Sequence, residues 1–302
     1  MSPNDNRMDA RDWSQLGLLS ILWGCSFFFN GAALRELPPL TLVFLRVGLG
    51  AIILLPILRA RKICFPSASG WTTFFAIGLF NNVIPFSLIV TGQTFIPSGL
   101  ASILNATTPL LTVLVLASAG EETLQMRRVA GVTLGLVGVI ILKGWGIEAR
   151  PGQGIGILLC LGAALSYGFA ALTARRLLKD VPPLGAACFQ LMASTVMMAI
   201  VAGAVEQPWH LAMPGAATWL AVLGIAGLST ALAYIVFFGV LQRSGGTNVM
   251  LGTLLAPVTS ILLGWLVLGE AISMREIAGA IVIGSALLVI DGRALNLLRR
   301  VT

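Results

Sequence analysis

Ten long apolar segments, separated by short polar gaps, divide the sequence from end to end. A helix needs about 20 mostly apolar residues to cross the hydrocarbon core of a bilayer. Each segment should be helical, because a lone strand cannot satisfy its backbone hydrogen bonds in lipid. The sequence therefore predicts an all-α integral membrane protein, embedded in the lipid bilayer, with ten transmembrane helices at residues 14–34, 38–58, 69–91, 97–118, 125–142, 152–178, 183–204, 215–241, 246–268 and 273–291.

The composition excludes the main alternatives to a membrane protein. Of the 302 residues, 57% are hydrophobic and only 10% are charged, whereas soluble domains carry about 25% charged residues. This excludes an intrinsically disordered chain, which needs low hydrophobicity and high charge, and it argues against a soluble enzyme. The net charge of +7 does not indicate a nucleic-acid partner, because the basic residues lie in the gaps between apolar segments and not on one binding face.

The placement of the basic residues predicts the orientation in the membrane. With the N-terminus in the cytoplasm, 14 of the 19 Lys and Arg residues fall in cytoplasmic segments, four fall in outer segments, and Arg46 lies within a helix. An excess of Lys and Arg on the cytoplasmic side is the general rule for membrane proteins. We therefore expect a multi-pass protein with both termini in the cytoplasm, including tails at residues 1–13 and 294–302.

The two halves of the chain resemble each other. Residues 35–40 match residues 179–184 at an offset of 144, and residues 122–131 match residues 270–279 at an offset of 148. Each half holds five helices, and because five is an odd number the second half must cross the membrane in the opposite sense. We predict a first five-helix repeat at residues 14–144 and a second, inverted five-helix repeat at residues 152–293, which is the architecture of many secondary transporters.

Short motifs connect the chain to a known family. The first helix contains Leu22-Trp23-Gly24, and the fourth and ninth helices close with the related segments Pro109…Gly120-Glu121-Glu122 and Pro257…Leu268-Gly269-Glu270. With ten helices in two repeats, the chain resembles the EamA type of the drug/metabolite transporter superfamily, and within it most of all the YddG-type amino-acid exporters. Tyr167 departs from the pattern, because it stands where the second repeat should carry the Trp. The resemblance implies export of amino acids, aromatic ones among them, and of related small metabolites across a bacterial inner membrane.

The candidate substrate-binding residues are the polar and aromatic side chains nearest the span centres, because such transporters bind substrate near the midplane between the repeats. They are Trp23, Asn81, Asn82, Asn105, Tyr167 and Tyr234. An amide in lipid is costly unless it is paired, so the adjacent Asn81 and Asn82 should either form interhelical hydrogen bonds or contact substrate. Trp23 and Tyr167 should either stack against an apolar substrate or fill the core.

Arg46 is the only cation well inside a predicted span, and Gln190 occupies the corresponding position of the second repeat. Two interpretations remain open from the sequence. The guanidinium binds helix-end carbonyls as a structural contact, with its stem extended towards the outer interface, or it binds a substrate carboxylate. Phosphorylated substrates would need several buried cations, so we expect a small neutral or zwitterionic substrate.

Pro109 and Pro257 are the candidate gating hinges. A proline inside a helix removes one backbone hydrogen bond and bends the helix. It frees the carbonyl of the residue four positions earlier, which is Asn105 in the first repeat and Thr253 in the second. A symmetric pair of bends would suit alternating access, and a pair of static kinks is the alternative.

The absence of acidic residues near the span centres bears on the mechanism. Proton coupling generally uses a carboxylate within the membrane, so we favour facilitated diffusion or exchange by alternating access over proton antiport of a metabolite or drug. An intramembrane protease would need paired Asp, or Ser with His, at depth, so we expect no enzyme, no catalytic residue, no cofactor and no metal. A membrane receptor or scaffold without transport is the alternative class. Small residues four apart predict tight packing within a monomer and leave a dimer open.

The predicted orientation can be tested with introduced cysteines, after replacement of the four native ones. Glu148→Cys should react with a membrane-impermeant maleimide added to intact cells, because Glu148 is predicted to face outwards. Arg175→Cys should react only after the cells are opened. Reaction of both positions from the same side would contradict the ten spans and the inverted repeat together.

Overall fold

The computed structural model of the protein describes residues 10–121, 126–143, 151–178, 181–244, 251–271 and 273–291. Most of the predicted tails, Glu122 and the segment that contains Glu148 lie outside the described residues. The described residues form ten long helices and no strands. In chain order these are α1 (Ala10–Ala33), α2 (Pro39–Ala60), α3 (Trp71–Gly92), α4 (Ser98–Ser118), α5 (Met126–Lys143), α6 (Gln153–Leu177), α7 (Pro183–Val205), α8 (216–244), α9 (251–268) and α10 (Met274–Asp291).

Each of the ten predicted spans corresponds to one of these helices, and α4 alone is interrupted by a turn, at residues 106–107. Seven helices are long and apolar enough to cross a membrane by themselves. The other three, α5, α9 and α10, contain the shorter apolar stretches Val129–Ile141, Ala256–Leu268 and Ile277–Ala286. The predicted fold class is confirmed. The helix ends differ slightly from the prediction, since α1 already begins at Ala10 and α8 continues to Ser244.

The helices pack in an exchanged arrangement that follows the two repeats. α6 packs against α3 and α4, and α1 packs against their counterparts α8 and α9. We call these the α3–α4–α6 group and the α1–α8–α9 group. α2 pairs with α7, and α5 pairs with α10. Each half therefore donates its first helix to the other half, so the two repeats form one interlocked bundle.

Small residues allow the helix backbones to approach closely, which association in lipid requires. At Gly24 of α1, a side-chain Cβ would lie 2.6 Å from the backbone oxygen of Ala256 and 2.5 Å from the Cβ of Thr259, both in α9. At Gly138 of α5, a Cβ would lie 2.7 Å from the Ile283 side chain of α10. Glycine is needed at both crossings because any larger residue would separate the backbones.

Helices α2, α4 and α8 each begin without a side-chain cap of their own. A Glu from the opposite repeat caps each of them instead. Glu206, which follows α7, accepts hydrogen bonds from the backbone N–H groups of Leu40 and Thr41, with N–O distances of 2.9 and 2.6 Å. The unpaired N–H groups and the helix dipole both favour a carboxylate at this position.

Glu270, which follows α9, caps α4 in the same way. It accepts hydrogen bonds from the backbone N–H groups of Ser98 and Gly99 at 2.9 and 3.4 Å. Glu36, which precedes α2, accepts a hydrogen bond from the N–H group of Gly215 at 2.7 Å. This bond holds the pKa of Glu36 below its ordinary value. The three carboxylates fasten the repeats together at the end of the bundle that is predicted to face outwards, here called the outer end.

The crossing of α1 and α9 predicts an effect on stability. Gly24→Ala adds a methyl group where no space exists, so it should lower the melting temperature of the purified protein, since overpacking costs about 1–3 kcal/mol. Gly17→Ala is the matched control, because it adds the same group to the same helix where no atom lies within 4 Å. It should leave the melting temperature unchanged or raise it. Equal effects of the two substitutions would contradict the described crossing.

Candidate functional site

Two helices contain a π-helical turn near their midpoints, at matching positions of the repeats. α3 contains a π-helical turn at Leu79–Val83, and α8 contains one at Gly227–Leu232. The offset between them is the same 148 residues that relates the sequence motifs. Such turns are rare and occur frequently at functional sites. They carry the adjacent polar residues Asn81-Asn82 and Ser229-Thr230.

Hydroxyl groups satisfy backbone carbonyls at these turns. Thr230 Oγ1 donates a hydrogen bond to the carbonyl of Ile225 at 2.8 Å. Ser166 Oγ of α6 donates one to the carbonyl of Phe80 at 2.8 Å. Irregular backbone at membrane depth is tolerated only where it is buried in protein with such partners or lines a wet cavity. The sequence therefore supplies side chains that stabilise both interruptions.

The two amides of α3 lie in a network that joins the repeats. Asn81 Nδ2 donates a hydrogen bond to Oε1 of Gln190 in α7 at 2.9 Å, and Asn82 Nδ2 donates one to Oγ of Ser194 at 3.0 Å. The hydroxyl of Tyr234 in α8 donates to Oδ1 of Asn82 at 3.0 Å. Both members of the predicted Asn pair thus form interhelical hydrogen bonds, and their contact with substrate stays a prediction.

Arg46 of α2 lies beside this network and is only 6% exposed. Its Nε donates a hydrogen bond to Oγ1 of Thr230 at 3.1 Å, and its Cζ lies 3.6 Å from the centroid of the Phe86 ring. It is close enough to Tyr167 and Tyr234 to interact with them electrostatically. Within the described residues the guanidinium makes no hydrogen bond to a helix-end carbonyl, because the side chain turns towards the π-turn of α8.

The contacts of Arg46 and Gln190 correspond under the repeat. Arg46 and Gln190 occupy equivalent positions, at an offset of 144 residues. Arg46 of α2 reaches the π-turn of α8, and Gln190 of α7 reaches the π-turn of α3. Each repeat therefore places one polar side chain against the interrupted helix of the other. Only the first repeat places a charged side chain at this position, so the two repeats differ in charge there.

Three of the predicted site residues lie outside the hydrogen-bonded network. Trp23 is partly buried and packs against Phe237 of α8 at the edge of an apolar cluster, with ring centroids 5.8 Å apart. Tyr167 packs against buried apolar residues of both large core clusters. Asn105 makes no side-chain hydrogen bond within the described part of the chain, and its Oδ1 is fully buried.

The two prolines do not produce equal breaks. α4 divides at residues 106–107 into Ser98–Asn105 and Thr108–Ser118, whereas α9 continues as a helix through Pro257. The Asn105 carbonyl, which Pro109 deprives of its usual donor, accepts a hydrogen bond from Oγ1 of Thr108 at 2.6 Å. α4 is therefore interrupted beside Pro109, whereas α9 is helical on both sides of Pro257, and a pair of gating hinges stays a prediction.

The Gly-Glu motif has a clear structural role. Gly269 ends α9 in the left-handed conformation, with φ of 69°, which glycine adopts without strain. The turn directs Glu270 back to the start of α4, and the absence of a side chain at Gly264 gives its carboxylate room. Gly120 ends α4 with a similar φ of 71°. The glycine thus terminates a helix in both repeats, and in the second repeat Glu270 caps α4.

Sequence reasoning ranked Arg46 below the amides and did not identify Phe86, Ser194 or the π-turns. The repeat offset was the available signal, since it pairs Arg46 with Gln190 and Asn82 with Thr230. Over the ranges that the structure covers, no cluster of His, Cys, Asp or Glu could hold a metal ion. What the site offers is a set of amides, hydroxyls and aromatic rings around a single cation, which suits binding of a small polar molecule.

A sequence model of the EamA-like transporter family matches residues 14–143 and, a second time, residues 154–290. The chain belongs to the EamA-like transporter family. Members of this family are transporters, so the protein is a multi-pass membrane transporter. The Gly-Glu motifs and the five-plus-five helices, interpreted above as a resemblance, agree with that membership.

Several relatives match this EamA-like transporter over most of its length. The uncharacterized transporter YoaV of Bacillus subtilis (strain 168) is 26% identical over 89% of this chain and 93% of its own. The uncharacterized inner membrane transporter YedA of Escherichia coli (strain K12) is 26% identical over 92% and 90%. A probable amino-acid metabolite efflux pump of Salmonella typhimurium is 26% identical over 93% and 95%. One solved crystal structure matches with a TM-score of 0.65 at 23% identity, over 91% of this chain and 95% of that one, and shows the same fold.

The Asn82–Ser194 hydrogen bond can be measured by a double-mutant cycle. Asn82→Ala and Ser194→Ala should each destabilise the purified protein, and the double variant should lose less than the sum, with a coupling of about 0.6–1.7 kcal/mol. Asn82→Ala with Thr195→Ala is the matched control, because the Thr195 hydroxyl binds the Leu191 carbonyl of its own helix. Coupling of the same size in the control would contradict a specific bond between α3 and α7.

Proposed function

We propose that this EamA-like transporter exports amino acids, aromatic ones among them, and related small neutral or zwitterionic metabolites across the bacterial inner membrane. The observation that carries the proposal is the polar network between the two π-turns, which joins the repeats where such transporters bind substrate. Amides and tyrosine hydroxyls both donate and accept hydrogen bonds, so they suit a solute that carries both charges. The relatives named as an inner membrane transporter and as a probable amino-acid metabolite efflux pump support the location and the substrate class.

Substrate passes by alternating access between the α3–α4–α6 group and the α1–α8–α9 group, which the inverted repeats relate. The Glu270 cap holds α4 against α9 at the outer end, and Asn30 of α1 donates a hydrogen bond to Gln93 after α3 at 2.8 Å. The Glu121–Arg176 contact, at 2.8 Å and on the other side of the bundle, lies within one group. With both termini in the cytoplasm, this arrangement corresponds to a closed outer end and to loading of substrate from inside.

The interrupted helix α4 is the element that changes shape. Its break at residues 106–107 lies beside Asn105, whose buried Oδ1 has no hydrogen-bond partner among the described residues. An unsatisfied acceptor costs free energy, and closure of the break or an arriving substrate ammonium would each supply a donor. Pro109 keeps the break open by removing one donor, and Pro257 supplies the potential for a matching bend in α9. Trp23, Tyr167 and Tyr234 provide the aromatic walls of the path.

Counterflow in proteoliposomes tests the proposed function. Vesicles that contain the purified protein and excess unlabelled L-phenylalanine should take up radiolabelled L-phenylalanine, with no pH gradient, several-fold above protein-free vesicles. No described acidic residue lies at a span centre, so exchange should need no proton gradient. Phosphorylated amino acids should not compete with uptake.

Two variants of α3, one in the polar network and one outside it, serve as test and control in this experiment. Asn81→Ala removes the amide that bonds to Gln190 and should slow exchange about tenfold, which corresponds to about 1.4 kcal/mol. Thr72→Ala removes a hydroxyl at the exposed start of the same helix and should leave exchange unchanged. Uptake that appears only with a pH gradient would favour proton antiport, and absence of uptake of any amino acid would overturn the proposed function.

A further inference from the structure

Arg46 is a buried cation without a counter-charge. Within the described residues, no carboxylate lies within ion-pair distance of its guanidinium. Its two contacts are the neutral hydroxyl of Thr230 and the face of the Phe86 ring. Removal of a charge from water is costly unless the charge is paired, and a hydroxyl with one cation–π contact offsets only part of that cost. The position therefore favours any anion that can reach it.

The unpaired part of the guanidinium is accessible. Nε is the only nitrogen of Arg46 with a hydrogen-bond partner among the described residues. Neither terminal nitrogen has a hydrogen-bond partner among the described residues, and Arg46 keeps 6% of its surface exposed. Thr230 binds Nε of the guanidinium and Phe86 covers its face, so the two terminal nitrogens are the donors that remain for a ligand.

The Tyr167 hydroxyl supplies a second hydrogen-bond donor near the guanidinium of Arg46. Its hydroxyl has no hydrogen-bond partner in the described part of the chain and is not fully buried. Tyr167 packs against the core cluster that contains Phe86, the ring that the Arg46 guanidinium contacts. Arg46 comes from the first repeat and Tyr167 from the second, so a carboxylate held by both would lie where the repeats face each other.

We propose that Arg46 and the Tyr167 hydroxyl together bind the carboxylate of the transported substrate. This assignment rests on the proposed function and adds to it the chemical group that the substrate must carry. Arg presents two parallel N–H donors that match the two oxygens of a carboxylate, and the tyrosine hydroxyl satisfies a remaining lone pair. The single cation matches a single negative charge, so a carboxylate fits better than a doubly charged phosphate. The same cation repels amines that lack a carboxylate.

The test compares L-phenylalanine with L-phenylalaninamide, which keeps the ring and the ammonium and loses the carboxylate. Binding to the purified protein is measured by calorimetry, independently of transport. Wild type should bind L-phenylalanine about 10- to 100-fold more tightly than the amide, the range expected for a charge-assisted hydrogen bond. Arg46→Gln should reduce this preference to about threefold or less, because the difference depends on the cation. The variant introduces the residue that the second repeat carries at the equivalent position.

Further variants keep the test decisive if Arg46→Gln does not fold. Arg46→Lys keeps the charge without the fork and should retain part of the preference. Tyr167→Phe removes only the hydroxyl and should lower the preference by about tenfold or less. Arg59→Gln is the matched control, since Arg59 is an exposed cation at the other end of α2, and it should leave the preference unchanged.

The outcomes separate this proposal from the proposed function. Transport of L-phenylalanine with an equal preference in wild type and in the Arg46 and Tyr167 variants would overturn the carboxylate site and leave the function standing. If binding of L-phenylalanine depends on Arg46 but the protein transports no amino acid, the carboxylate site stands and the proposed function is overturned. A wild-type protein that binds L-phenylalanine no better than its amide, or binds neither, would also overturn the carboxylate site.

Discussion

The need to satisfy every backbone hydrogen bond inside the lipid bilayer determines most of this structure. It makes the spanning segments that the structure describes helical. It also requires that a carbonyl freed where a helix is interrupted finds another donor. The turn in α3 uses the Ser166 hydroxyl, the turn in α8 uses Thr230, and the break in α4 uses Thr108. Polar side chains gather at these three interruptions, which favours a site for a polar solute there.

The same requirement explains how the two halves are held together. Helices α2, α4 and α8 have unpaired N–H groups at the outer end, and carboxylates of the opposite repeat satisfy them. Lipid supplies no hydrophobic force for helix association, so these caps and the close crossings at Gly24 and Gly138 stabilise the bundle. A cap is a local contact that can be released and formed again. Fastening the repeats by caps is thus compatible with movement of one helix group against the other.

The sequence predicts much of the fold because length, hydropathy and the repeat are properties of the chain itself. The ten helices and the transporter family follow from them, and the polar partners expected for Asn81 and Asn82 are present in the structure. The π-turns could not be predicted, since the turn in α3 depends on a hydroxyl that α6 supplies and the turn in α8 on the carbonyl that its own Thr230 reaches. Glu206 and Glu270 lie near span ends in the sequence, and only the packing shows which helix each one caps. The orientation of Arg46 depends likewise on Thr230, which lies 184 residues away along the chain.

Alternating access at the outer end is measured most directly by the distance between spin labels on the two helix groups. Thr94, after α3, and Ala271, after α9, are exposed positions at that end, and each can carry a label through an introduced cysteine in a background without the native ones. In liposomes without substrate, the distance distribution should show the closed arrangement described here. Addition of L-phenylalanine should populate a second, longer distance. A single distance that stays unchanged while the labelled protein exchanges substrate would contradict movement of the two groups against each other.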